Sequence, residues 1–183
     1  MNKQEAIMQA ALELLVEKGV HNTPMSAIAK AAGTGMGTIY NYFPNKEQLI
    51  NEIYLLIKEK EESVFLAVDV HKPIKTQFEH YMQVLIGFHV DNPLYFRFLE
   101  QMEASPMISQ ENKTQGRKTV EMVVMLLKKG QEERIIKPLE VDELLTFIGG
   151  AISSYLRGYF SKPPKKASSS QNQIQMVWDG IKT

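Results

Sequence analysis

The sequence predicts an all-α fold, and three features carry that prediction. Apolar residues recur three and four positions apart along most of the chain, the spacing of one helix face, as in Ile7, Ala10, Ala11, Leu14 and Leu15. Glycine, proline and asparagine interrupt the pattern where helices would stop, at Gly19, Gly33, Pro44, Pro73 and Asn92-Pro93. No stretch reads convincingly as a strand. The 183 residues suffice for one domain or two small ones and can bury a sizeable core. The chain has no cysteine, which excludes a disulfide framework, thiolate metal sites and cysteine nucleophiles, and fits a reducing cytoplasm. Lys and Arg total 21 and Asp and Glu total 21, so any affinity for a polyanion must come from local placement of charge. No apolar run approaches the roughly 20 residues of a membrane helix, and the polar start MNKQEA does not read as a signal peptide. No membrane partner is expected.

Residues 3–18 form the first expected helix, stopped by Gly19. A second begins after Thr23, whose hydroxyl is the expected N-cap, with Pro24 at the first position, where its missing N–H costs nothing. Ile28, Ala29 and Ala32 give this helix a narrow stripe of small apolar side chains, and Gly33 ends it. In the third, Ile39 and Phe43 point inward four positions apart. Rotation by about 100° per residue turns Gly37, Thr38 and Asn41 to the opposite side, flanked by Tyr40 and Tyr42. Two helices joined by a short glycine turn, the second with small polar groups outward, form a helix-turn-helix, whose second helix suits the major groove of DNA.

Gly19, Thr23, Ile28-Ala29, Ala32-Gly33, Gly37-Thr38-Ile39-Tyr40, Tyr42-Phe43, Lys46-Glu47 and Leu49 together resemble the DNA-binding domain of the TetR family of transcriptional regulators. The resemblance implies a homodimer that grips a palindromic operator in double-stranded DNA through two recognition helices about 34 Å apart. It further implies a repressor that a small-molecule effector releases. On this pattern Thr38, Tyr40, Tyr42 and Lys46 hold phosphates, and Thr34, Met36, Gly37 and Asn41 lie where base edges are read. Asn41 has the donor and acceptor for a bidentate contact with adenine, and Met36 has the apolar reach for a thymine methyl. Two positions depart from the family pattern: Gly35 stands where a serine often caps the recognition helix, and Met36 where a polar residue is common.

Beyond Pro44, Asn45 with Gln48 three residues on is a capping-box-like start for a long helix to about residue 68. Lys46 in its first turn is a solvated lysine on one reading. On the other, it and the helix N-terminus clamp a phosphate. The resemblance makes this helix the connection between reader and effector domain. Residues 73–90 carry Phe78, Tyr81, Met82, Leu85, Ile86 and Phe88, and residues 94–103 carry Tyr95, Phe96, Phe98, Leu99 and Met102. Residues 104–116 read as a loop or frayed helix start, and 117–133 as a helix with Val120, Val123, Val124 and Leu127 on one side.

The aromatic and methionine density of this middle region is core on the plain reading. Part of it also suits an effector cavity, for which Phe78, Tyr81, Met82, Leu85, His89, Phe96, Met122, Met125 and Tyr155 are the candidates. Residues 141–161 bring Gly149, Gly150 and Ser153 onto adjoining turns, a surface that another helix can approach closely. A linker, KPPKKASSS, precedes a last helix at 171–181 with Ile174, Val177, Trp178 and Ile181 on one face. A tryptophan on an exposed terminal helix is natural at an interface. The resemblance implies that these two helices pair with their symmetry mates, making Gly149, Gly150, Ser153, Ile174, Val177 and Trp178 the dimer candidates. Packing within the subunit is the alternative.

Enzymatic motifs are missing. Gly33, Gly35 and Gly37 approach the dinucleotide fingerprint, but Thr38 replaces the third glycine and a helix precedes them. No acid stands three residues before a histidine, as a di-iron bundle requires, and His21, His71, His80 and His89 lack metal spacing. No nucleophile elbow is present. The reading is therefore a non-enzymatic protein with no metal or cofactor, divided into a helix-turn-helix domain at 1–46 and a ligand-binding and dimerisation domain at 47–183. A helical small-molecule carrier or sequestering protein that retains the DNA-reading fold is the rival, suggested by the neutral charge of the N-terminal region.

Overall fold

The computed structural model describes residues 2–65, 69–102, 105–161 and 170–183. Among these it contains ten α-helices: α1 (Lys3–Lys18), α2 (Met25–Ala31), α3 (Met36–Tyr42), α4 (Lys46–Ser63), α5 (Ile74–Asp91), α6 (Pro93–Met102), α7 (Gln110–Gly116), α8 (Glu121–Glu132), α9 (Val141–Ser161) and α10 (Ser170–Ile181). A 3₁₀ turn, Arg117–Val120, separates α7 from α8. No strand occurs among the described residues, only an isolated antiparallel bridge between Ile136 and Lys182. Packing groups the chain into two compact units, one of Met1–Glu59 with Asn92–Gly116 and one of Lys60–Asp91 with Arg117–Thr183. The first unit thus extends past the 46/47 division suggested by the sequence and takes in α6 and α7.

In the first unit, Ile7, Ala11 and Leu15 of α1 meet Ile28 of α2, Ile39 and Phe43 of the α3 region, and Leu49, Ile53 and Ile57 of α4. Phe98, Met102 and Ile108 close the same core. Each such fully buried large apolar side chain contributes about 1.5–3 kcal/mol relative to exposure, and this sum holds α2 and α3, seven residues each, which would not persist alone. The turns are set by polar groups. Gly33 takes a left-handed φ of 63°, its N–H reaching the Lys30 carbonyl at 3.2 Å and the Thr34 N–H the Ala29 carbonyl at 2.9 Å. This is a Schellman ending, and it aims the chain into α3.

Thr23 is not the cap of α2. Pro24 occupies the N-cap position, and the buried Thr23 hydroxyl, which has one proton, lies 2.8 Å from the Gly19 carbonyl and 3.2 Å from that of Leu14. The hydroxyl staples the α1–α2 turn instead of satisfying the next helix. Asn45 does cap α4, its side-chain oxygen accepting the Gln48 N–H at 2.8 Å. Gln48 does not complete the expected box, because its carboxamide donates to Glu52 one turn on. The helix ends at Ser63, and the rest of its expected length, 66–68, lies outside the described residues, as does 162–169 of the linker.

Of the two readings of 104–116, a loop or a frayed helix start, the loop is corrected over its second half: Gln110–Gly116 is helical. The Ser109 hydroxyl accepts the Asn112 N–H at 3.2 Å, an N-cap, while the Ser109 N–H is taken by Asn51, a partner too distant in sequence for local pattern to reveal. In the second unit α5 packs on α8, α9 and α10, and Phe78, Met82, Leu127, Leu144, Ile148 and Leu156 are buried. The end of α10 is tied to the turn after α8 by backbone bonds from Lys137 N to Ile181 O and from Thr183 N to Ile135 O.

Glycine at 33 is required by its backbone angle, so Gly33→Ala is expected to destabilise the protein by about 1 kcal/mol, lowering Tm by about 2–4 °C in a thermal melt. Gly35 has φ −82° and ψ 160° with open space around it. Gly35→Ser is accordingly expected to leave Tm unchanged or raise it by a degree or so, through the cap that α3 lacks.

Candidate nucleic-acid interface and internal cavity

The surface of α3 is decided by its two anchors. Ile39 and Phe43 have no exposed area, so the rest of this seven-residue helix must turn outward. Met36, Gly37, Tyr40, Asn41 and Tyr42 are exposed, and Thr34 and Thr38 are half-buried. The outward face carries no acid or base, leaving a methionine, a glycine, a carboxamide and phenol and alcohol hydroxyls. Such groups can contact base edges and phosphate oxygens without bringing a like charge to the backbone.

Lys46 supplies the local cation, and its place is more specific than either sequence reading. Its ammonium donates to the Val20 carbonyl at 2.7 Å and the Thr23 carbonyl at 3.3 Å. Carbonyls carry no net charge, so the positive charge is held at the α1–α2 turn without being neutralised, and a third N–H remains for an outside acceptor. The candidates of the α3 region and Lys46 thus share one unit and one local structure.

The effector candidates separate. A cavity of about 230 Å³ in the second unit is lined by Val70, Gln77, Tyr81, Met122, Val123, Met125, Leu126 and Lys129. Of the sequence candidates it gathers Tyr81, Met122 and Met125. Phe78 and Met82 are sealed core, and Phe78 packs its ring 5.4 Å from that of Trp178. Leu85 is buried outside the lining, Tyr155 lies against Tyr159 with ring centroids 6.3 Å apart, and Phe96 belongs to the other unit. His89 is buried with Nε2 3.2 Å from the carboxylate of Glu61. Three of the five missed lining residues follow from helix geometry once one member is known: Gln77 stands four before Tyr81, and Leu126 and Lys129 stand four and seven after Met122; Val70, ahead of α5, and Val123 do not.

Polarity in this cavity is sparse and oriented. The Gln77 carboxamide donates to the carbonyls of Val70 and Lys72, at 3.1 and 2.5 Å, which holds the segment before α5 at the rim. Burial, then the negative charge of Glu61, pushes the Tyr81 phenol well above its ordinary range, so it stays a neutral donor; its ring stacks on Phe65 at 4.7 Å. Among the described residues Lys129, exposed, is the only charged side chain of the lining.

The proposed interface residues are also divided. Ile174, Val177 and Trp178 do not face outward as expected: they are buried in their own unit, because the apolar stripe of α10 is used up against α5. Gly149 and Gly150 are exposed with open space beside them, and Ser153 is half-buried. The outward apolar groups near them are Phe147, 49% exposed, whose ring lies over Gly180, and Met176, 61% exposed.

The family model described as bacterial regulatory proteins, tetR family, matches residues 7–53, and that for the tetracyclin repressor-like C-terminal domain matches residues 53–179. The HTH-type transcriptional regulator YhgD of Bacillus subtilis is 28% identical over 151 residues, covering 81% of this chain and 78% of the relative. The HTH-type transcriptional repressor KstR2 of Mycobacterium tuberculosis is 23% identical over 98% of this chain and 93% of its own. Among solved structures, a TetR family transcription regulator of Marinobacter aquaeolei superposes with TM-score 0.86 at 21% identity, over 98% of this chain and 95% of that one.

Replacing Lys46 by methionine, which keeps the stem and removes the ammonium, is expected to lower unfolding stability by about 1–2 kcal/mol through loss of the charged bonds to Val20 and Thr23. Chemical denaturation measures it; a lysine that merely dangles in solvent would show no change.

Proposed function

Because the chain belongs to the TetR family of bacterial regulatory proteins, DNA-binding transcription regulators and not enzymes, we propose that it is a cytoplasmic, ligand-responsive repressor acting as a homodimer on a palindromic operator. The observation that carries this reading is the uncharged outward face of α3 beside the carbonyl-held ammonium of Lys46. Asn41, Met36, Gly37 and Thr34 read bases, while Thr38, Tyr40, Tyr42 and Lys46 hold phosphates. The dimer forms through the outward faces of α9 and α10, with Phe147, Gly149, Gly150 and Met176 at its centre; Ser153 flanks it, and Ile174, Val177 and Trp178 support it from within.

The effector is a small amphipathic anion. Apolar walls from Val70, Met122, Val123, Met125 and Leu126 take its body, Lys129 at the mouth takes its charge, and the Tyr81 hydroxyl donates to it. At roughly 30 Å³ per water-sized group, the space suits about eight heavy atoms. Binding there favours a dimer whose readers no longer match the operator, which requires that the effector prefer that state over the DNA-bound one.

A gel shift against genomic fragments tests the first claim. A selected duplex should bind with affinity that falls steeply with salt, Asn41→Ala should cost about 1–3 kcal/mol and relax one base position, and Lys46→Met should weaken all sequences alike. A chain that binds ligands but retards no fragment is a carrier instead. Isothermal titration calorimetry tests the second: hexanoate should bind and hexylamine should not, and Lys129→Glu should reverse that order. Met176→Asp should sediment as a monomer where the native chain is a dimer; an unchanged dimer removes the α9–α10 assignment.

A further inference from the structure

Asn51 on α4 is 93% buried and all four of its hydrogen-bonding positions are taken up inside the first unit: with 7% of its surface left, it donates to the Glu47 carbonyl at 2.8 Å and the Met107 carbonyl at 2.7 Å. Its oxygen accepts the Ser109 N–H at 3.0 Å and the Asn112 carboxamide N–H at 2.7 Å. Ser109 caps α7, and its own N–H is the group that a glutamate or glutamine at Asn112's position would accept in an ordinary capping box. Asn51, 58 residues away, supplies that acceptor instead. A second contact lies further along α7. A Cβ at Gly116 would stand 2.5 Å from the Tyr54 hydroxyl oxygen, so the end of α7 sits directly against the next turn of α4.

We infer that Asn51 couples the start of α7 to the DNA-reading helices, so that α7 responds when α3 engages a duplex. The carboxamide registers residues 107–112 on α4 two turns after the recognition helix ends, and the order of α7 therefore rises and falls with the order of α3 and α4. This rests on the DNA-binding reading proposed above.

Hydrogen exchange on the full chain, with and without a duplex selected from genomic fragments, tests it. In the native chain the duplex should slow exchange of the Ser109 amide and of 112–116 by at least about fivefold, the lower end of ordinary coupling between sites. In Asn51→Leu that slowing should vanish while the amides of α3 still respond, and Asn51→Asp, which keeps both acceptor bonds, should restore it in part. Should Asn51→Leu fail to fold, Asn112→Ala, at a half-buried position, removes one of the four bonds and should reduce the effect. A native chain that binds no duplex overturns the DNA reading and this inference with it. Duplex binding that leaves 109–116 unchanged, or slows it equally in the variants, overturns this inference alone.

Discussion

Burial of Ile39 and Phe43 one turn apart is the constraint from which the recognition surface follows. A helix of seven residues has too few internal hydrogen bonds to persist in water. It exists because those two side chains complete a core made by α1, α2 and α4, and once they are inside, geometry leaves no freedom over which groups face out. The turns carry the same logic further. Gly33 sets the direction of entry, Thr23 closes the turn before α2, and Lys46 reaches back to that turn from the following helix. The ammonium is therefore a packing element and a charge at once, and the two roles do not compete, since carbonyl partners orient it without cancelling it.

Much of this was legible in the sequence because it is local. Apolar spacing gave α1 to α4 and α6 of the first unit, and glycine and proline gave most of their ends. What escaped depends on partners far along the chain. Thr23 looks like a cap by type and position, yet its hydroxyl finds carbonyls of the preceding turn. Helix α7 has a polar sequence, QENKTQG, with no apolar stripe to announce it, and it is held by Asn51 and Tyr54 of another element. Trp178 illustrates the opposite error. An apolar stripe on a terminal helix can be filled by the same subunit or by a partner, and periodicity does not say which; Phe78 fills it here.

The candidate cavity was half legible for a related reason. Aromatic and methionine content marks a region where side chains are large, but whether a given ring seals the core or lines a void depends on a difference of one helix face. Tyr81 and Phe78, three apart, fall on either side of that difference. The polar members, Gln77 and Lys129, were invisible to a search for apolar density, although they add polarity to the lining.

Glu61 and His89 carry a consequence of another kind. Each side chain is 7% exposed, and they lie 3.2 Å apart in the second unit. Burying two polar groups costs each its hydration, so a contact of this sort aligns the segments that carry it more than it adds net stability. A matched pair of apolar side chains could take their place at small cost. The contact thus fixes which turn at the end of α4 meets which turn of α5, a matter of alignment and not of strength.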